Sequence, residues 1–137
     1  MSGEIWKHSE TIEECYEFML AYAAQGLPSD QGAQSSQRIR EVLERAASAI
    51  AALGKNCRIF VKHRRLEPAE KYLSFINLVE RDARDSLAAI DLVLAQSSIS
   101  SQLVDNLNAS IHLRALLTDS FLLGDVFRSE LASSASD

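Results

Sequence analysis

Between Leu113 and Phe127 the apolar residues stop keeping to one side of a helix, and no other feature of the sequence constrains the fold as strongly. At about 100° per residue, Leu113, Leu116, Leu117, Phe121, Leu122, Leu123, Val126 and Phe127 spread almost around the circumference. They leave chiefly Arg114, Thr118 and Asp125 in a narrow polar arc. A helix apolar on every side has to be covered on every side. The chain must either wrap this segment itself or offer it to another surface.

The remaining segments carry one-sided stripes. Ile12, Cys15, Tyr16, Met19, Tyr22 and Ala23 recur at three- and four-residue steps and predict a helix over 11–25. Thr11 and Glu14 read as its capping box, Trp6 and Ile5 as an apolar staple ahead of it, and Gly26, Leu27 and Pro28 as its stop. After a polar connector over 26–37, whose later part is open to helix, Ile39, Leu43, Ala46, Ile50 and Leu53 predict a second helix over 35–54, closed by Gly54. Pro68 opens a third over 68–96, marked by Ala69, Leu73, Ile76, Ala83, Leu87, Ile90 and Leu94. The serines from Ser97 to Ser101 supply N-caps for a last helix over 100–131, which starts on Leu103, Val104, Leu107 and Ile111. Residues 55–66 read as a short extra helix or an irregular link, and 132–137 as a frayed tail.

Four helices joined by short links predict an all-α fold: an antiparallel up-down four-helix bundle forming one domain over 1–137. At about 1.5 Å per residue the last two helices would reach ~43 and ~48 Å, against ~23 and ~30 Å for the first two. The end of the long hairpin would then stand uncovered, and the residues Leu113, Leu116, Leu117, Phe121, Leu122, Leu123, Val126 and Phe127 become the expected partner interface. Two arrangements would remove that need: 55–66 folding over the segment, or a break at Gly124 that turns the chain back.

Charge divides the chain into three blocks. Residues 1–37 carry a net −5, 38–65 a net +6 and 66–137 a net −6, for −5 overall. Lys55, Arg58, Lys62, His63, Arg64 and Arg65 form an acid-free basic patch beside the single aromatic Phe60, suited to phosphate groups or to an acidic protein surface. Equally, these bases would complement the dipole at the end of the second helix.

Catalytic motifs are missing from the sequence. His8, His63 and His112 lie on different segments, and none has a Glu three residues before it, as a di-iron bundle requires. The sequence contains no His-Glu-x-x-His, no phosphate-cradling Gly-rich loop and no Gly-x-Ser-x-Gly turn. Glu10, Glu13, Glu14 and Glu17 read as a solvated helix start, and Asp82, Asp85 and Asp91 as surface partners of Arg81 and Arg84. His112 is a candidate for a pH-sensitive contact, Trp6 for ligand stacking, and Cys57, between Lys55 and Arg58, for a thiol with a lowered pKa. Asn108-Ala109-Ser110 has the form of a glycosylation acceptor, which means nothing in a cytoplasmic chain.

Two cysteines 42 residues apart fit a reducing compartment. The start Met1-Ser2-Gly3-Glu4 lacks the basic-then-apolar order of a secretory signal. The longest uncharged run, Leu92 to Val104, is 13 residues and too short to cross a bilayer. These features point to a non-catalytic cytosolic module that forms a homodimer or docks on a partner protein as an adaptor or regulator, with no cofactor, metal or membrane. Nucleic-acid or anion binding through 55–65 is the second expectation. A ligand-binding or enzymatic bundle with a pocket between helices is the third.

Overall fold

A computed structural model describes residues 2–31 and 34–136, with side chains for 6–31 and 38–132. Five helices account for it: α1 (Ser2–Ala24), α2 (Gln34–Arg64), α3 (Ala69–Leu94), α4 (Ser101–Ala109) and α5 (Ile111–Ser136), with no strand among the described residues. The all-helical reading holds. α1 packs on α2 and α4, and α3 packs between α2 and α5. Neighbours run antiparallel, as the pairs Arg40–Leu94 and Arg58–Glu80 fix for α2 and α3, and Tyr72–Glu130 and Asp85–His112 for α3 and α5.

The first two helices are longer than expected, which removes the mismatch in length. α1 begins at Ser2, so Thr11 lies inside it and its hydroxyl donates to the Lys7 carbonyl at 2.8 Å instead of capping a start. Trp6, expected as a staple ahead of the helix, is also helical. The stop is as read: Gly26 takes a left-handed φ of +66° just past the last turn.

α2 runs through Gly54 without a break. The stripe that reaches Leu53 continues at the same spacing through Cys57 and Phe60, with Val61 beside them, all buried. Burying a large apolar side chain gains about 1.5–3 kcal/mol, whereas a glycine inside a helix costs about 1 kcal/mol. Packing therefore wins, and 55–64 is neither a separate helix nor a link. Termination comes at Arg65, which adopts φ +53° while its N–H donates to the Lys62 carbonyl and the Leu66 N–H donates to that of Val61. That is the Schellman closure, with Leu66 and Val61 both buried as its apolar contact. Pro68 follows as the N-cap of α3, so the helix starts at Ala69, one residue later than expected.

The last helix is broken, at Ser110 and not at Gly124. Ser100 caps α4 by accepting from the Leu103 N–H at 3.0 Å, as expected of this serine turn. Ser110, at φ −58° and ψ 129°, then leaves helical geometry, while Gly124 sits inside α5. The break lets α4 lie on α1 and α5 lie on α3. Helix continues through Ser136 where a frayed tail was expected, and residue 137 lies outside the described residues. Phe127 stacks on Phe60 with ring centroids 4.4 Å apart, so the extension of α2 covers α5 at Phe127. Of the two ways to cover the apolar end of α5 within one chain, the structure uses the first, and only for the side of α5 that carries Phe127.

A network ties the two connectors together at one end of the molecule. Asp30, buried in the α1–α2 connector, accepts from the Ile99 N–H at 2.7 Å and from Arg40 Nε at 2.6 Å, while Arg40 donates onward to the Leu94 and Gln96 carbonyls at the end of α3. Burial alone would raise the Asp30 carboxyl, but the Ile99 N–H and the Arg40 guanidinium outweigh it and hold it below its ordinary value. The Tyr22 hydroxyl donates to the Ile99 carbonyl at 2.6 Å, and Ser101 bridges Tyr22 and Leu27. These bonds tie the end of α3 to both connectors.

Candidate functional site

α3 separates two grooves of opposite character. On one side, a groove of about 220 Å³ against α5 is lined by Lys71, Tyr72, Phe75, Leu122, Leu123 and Val126. The helical register explains it. Lys71, Phe75, Leu78, Asp82 and Asp85 share one stripe of α3, and Ala115, Asp119, Leu122 and Val126 share one of α5. Leu122 is 51% exposed, Leu78 40% and Val126 36%, values that leave large apolar side chains in water along this seam. At one end the Tyr72 hydroxyl donates to Glu130 at 3.0 Å, and burial together with that carboxylate raises the phenol above its ordinary value.

The expected partner interface is thereby divided. Leu113, Leu116, Leu117, Leu123 and Phe127 are buried by the chain's own helices and offer little or nothing to a partner. Phe121, Leu122 and Val126 stay outside, with Phe121 53% exposed on a different side of α5 from the groove. The wheel failed to separate these groups because a helix clasped between α3, α1 and the end of α2 is apolar on its buried sides whatever lies beyond them.

One turn from Leu122 and Leu123, the groove adjoins an acid pair. Asp119 is only 7% exposed, its Oδ2 lacks a hydrogen-bond partner, and its carboxyl is pushed up to about 7 by burial and by the Asp82 carboxyl facing it from α3. The sequence hides this pair, since Asp119 looks like an ordinary surface acid until α5 is laid on α3. Asp85, on the same stripe, faces His112 at 3.8 Å, and both are half exposed.

On the other side of α3, a cleft of about 620 Å³ against α2 is lined by Lys55, Asn77, Glu80, Arg81 and Arg84 above a floor that includes Gly54. Arg58 donates to Glu80 through Nε at 3.0 Å and Nη2 at 2.6 Å, and through Nη2 to Asn77 Oδ1. The hydrogen bonds from Arg58 hold the Glu80 carboxyl below its ordinary value against the opposing effect of burial. Gly54 makes the arrangement possible, because a Cβ there would run into Cγ of Glu80. Among the described residues no carboxylate lies within salt-bridge distance of Lys55, Arg81 or Arg84.

The basic patch is thus redistributed. Lys55 enters the cleft, Arg58 is held by Glu80, and Arg64 lies over the Phe60 ring at 5.8 Å. Lys62, His63 and Arg65 are exposed toward the end of α2. Arg81 and Arg84, which the sequence pairs with neighbouring aspartates, belong to the cleft instead; their three-residue spacing marks a common face, but only the register of α2 on α3 brings Lys55 to it.

The other chemical candidates do not assemble. Cys57 is fully buried and its thiol is pushed up to about 12, by burial and then by Glu80, so the lowering expected from Lys55 and Arg58 is reversed. Burial raises Cys15 as well. Trp6 is half buried with the Arg128 guanidinium 5.0 Å over its ring. Glu14 meets Arg45 at 3.8 Å in solvent, and no group of three metal-ligating side chains exists among the described residues. Among the described residues no helix is long and apolar enough to cross a membrane. The chain matches no family model, no curated protein and no solved structure.

Proposed function

We propose that this chain is a non-catalytic cytosolic module, an adaptor or regulator, that pairs with a second copy of itself through the groove between α3 and α5. Its scaffold is an up-down four-helix bundle whose fourth rod is α4 and α5 in succession. The observation that carries the reading is the groove of Phe75, Leu122 and Val126, with Leu78 further along the same stripe of α3: among the described residues nothing covers Leu78, Leu122 and Val126, which stay exposed. Water-exposed apolar seams of this kind are retained where another surface closes over them.

Charge favours a second copy as the occupant. Lys71 and Asp85 lie two helical turns to either side of Leu78 on one stripe of α3. When two copies pair antiparallel about Leu78, Lys71 of each meets the partner's Asp85, and one contact pattern serves both subunits as a two-fold interface requires. The two free, buried cysteines suit a reducing compartment.

Light scattering across a dilution series tests this directly. A dimer that dissociates in Leu122→Glu and Val126→Glu, but persists in Phe121→Glu, is expected. Lys71→Glu should weaken the dimer and the double variant Lys71→Glu with Asp85→Lys should restore it. A monomer at every concentration, or a dimer indifferent to all of these changes, would sink the proposal.

A further inference from the structure

We infer that the cleft between α2 and α3 is a binding site for a compact phosphorylated anion, of the size of a pyrophosphate group, held by Lys55, Arg81 and Arg84. The inference rests on residues separate from those of the dimer groove, so either can fail alone.

Three cations line one cavity, and none has a counter-ion within salt-bridge distance among the described residues. Arg81 and Arg84 stand three residues apart on one helix face, and the carboxylate nearest to them in the cavity, Glu80, is shared between Arg84 at longer range and Arg58 in direct contact. In a chain of net charge −5 such crowding is not a by-product of a generally basic composition. The single carboxylate in the cavity, Glu80, is already neutralised by the bidentate contact from Arg58, so it opposes an incoming anion less than a free carboxylate would. Asn77 Oδ1 accepts from Arg58 Nη2, which leaves its amide N–H groups as donors at the cavity wall. Guanidinium forks and an amide together match the oxygens of a phosphate group.

The extent of the positive region decides between a compact ligand and a nucleic-acid strand. Along α3, Asp91 stands two turns beyond Arg84 and Glu70 two turns before Asn77 on the same face. The cations are therefore bracketed by acids, and the favourable field is about one cavity long. A backbone that needs many successive phosphate contacts would run into those carboxylates, whereas two linked phosphates fit between them.

Titration calorimetry of the intact chain with inorganic pyrophosphate, at low and at physiological salt, tests the site, and parallel titrations with ADP and with a duplex oligonucleotide distinguish the carriers. Saturable binding of pyrophosphate is expected, weakened about tenfold by each of Lys55→Gln, Arg81→Gln and Arg84→Gln and unchanged by Lys62→Gln or Arg65→Gln. Tighter binding of ADP than of pyrophosphate would support the site and identify a nucleotide as the source of the phosphates. All three cleft side chains are exposed, so circular dichroism should show unaltered helix content in every variant. No binding of pyrophosphate at low salt would overturn the inference. So would equal losses in the cleft and control variants, or an oligonucleotide bound more tightly than either small anion.

Discussion

The two grooves beside α3 are built from the same helix and differ only in which neighbour is laid against it. Toward α5 the groove is mostly apolar and adjoins a protonatable acid pair; toward α2 it is polar, with one close ion pair and three cations that have no carboxylate within salt-bridge distance among the described residues. Apolar area without cover favours a large, shape-matched partner, while cations gathered around a cavity in excess of its carboxylates favour a small anion. One amphipathic helix can thus present two kinds of binding surface, because its non-core stripes are free to diverge once Ile76, Val79, Ala83, Ile90 and Val93 hold it in place.

The sharpest way to break this contrast is within α5, where core and seam are five residues apart. Leu117, 6% exposed, should not tolerate Glu: burying an unpaired carboxylate there costs about 4 kcal/mol or more. Leu122→Glu on the seam should leave monomer stability within about 0.5 kcal/mol of the parent. Urea denaturation of both variants at the same low protein concentration measures the difference, and similar losses in the two would mean that the seam is part of the core.

The acid pair gives the apolar side a pH signature of its own. A carboxyl raised from 3.8 to about 7 binds its proton more tightly in the folded chain than in the unfolded one, so folded stability declines as pH rises through that window and levels off above it. We expect the chain to be about 2 kcal/mol less stable near pH ~8 than near pH ~5, and Asp119→Asn to flatten that slope. Melting curves across the range check it; an unchanged slope in the variant would place the titration elsewhere. Asp30 works with the opposite sign, since its lowered carboxyl supports the fold above the ordinary carboxylate range and ceases to do so as pH falls through its folded value.

The two glycines of α2 and α5 offer the smallest and most local comparison. Gly124→Ala adds a methyl whose nearest neighbours are the Arg128 guanidinium atoms at 3.4–3.7 Å, and should stabilise by about 0.5–1 kcal/mol. Gly54→Ala gains the same helix propensity but drives Cβ into Glu80, disturbing the pair with Arg58, and should destabilise by about 1 kcal/mol net. Opposite signs in chemical denaturation are the expected result. A stabilising Gly54→Ala would show that the basic cleft can rearrange freely.

Much of the fold was readable from local pattern. The stop at Gly26, the cap at Ser100 and the span of α3, read as 68–96 and found as Ala69–Leu94, follow from turn chemistry and a long one-sided stripe. The misread boundaries share a cause. Thr11 has the pattern of a cap and Gly54 that of a stop, yet each lies in a helix carried onward by tertiary contacts: Trp6 beneath Arg128, and Phe60 upon Phe127. The break at Ser110 left no trace in the stripe, which runs through Leu107 and Ile111 at unbroken spacing, because it arises from α4 and α5 lying on different neighbours. The two surfaces were less readable still. Leu122, Val126, Lys55 and Arg58 were singled out, but Asp119, Arg81 and Arg84 acquire their settings only across helices.

From the sequence alone, then, came the helical class, the places where turn residues interrupt it, and the demand that 113–127 be covered. Tertiary structure decided what covers it and what is left outside. The division has a physical reason: propensity, caps and periodicity act within a few residues along the chain, whereas cover, charge pairing and proton sharing depend on which residues meet across helices. That meeting is set by the register of each antiparallel pair, which no single segment contains.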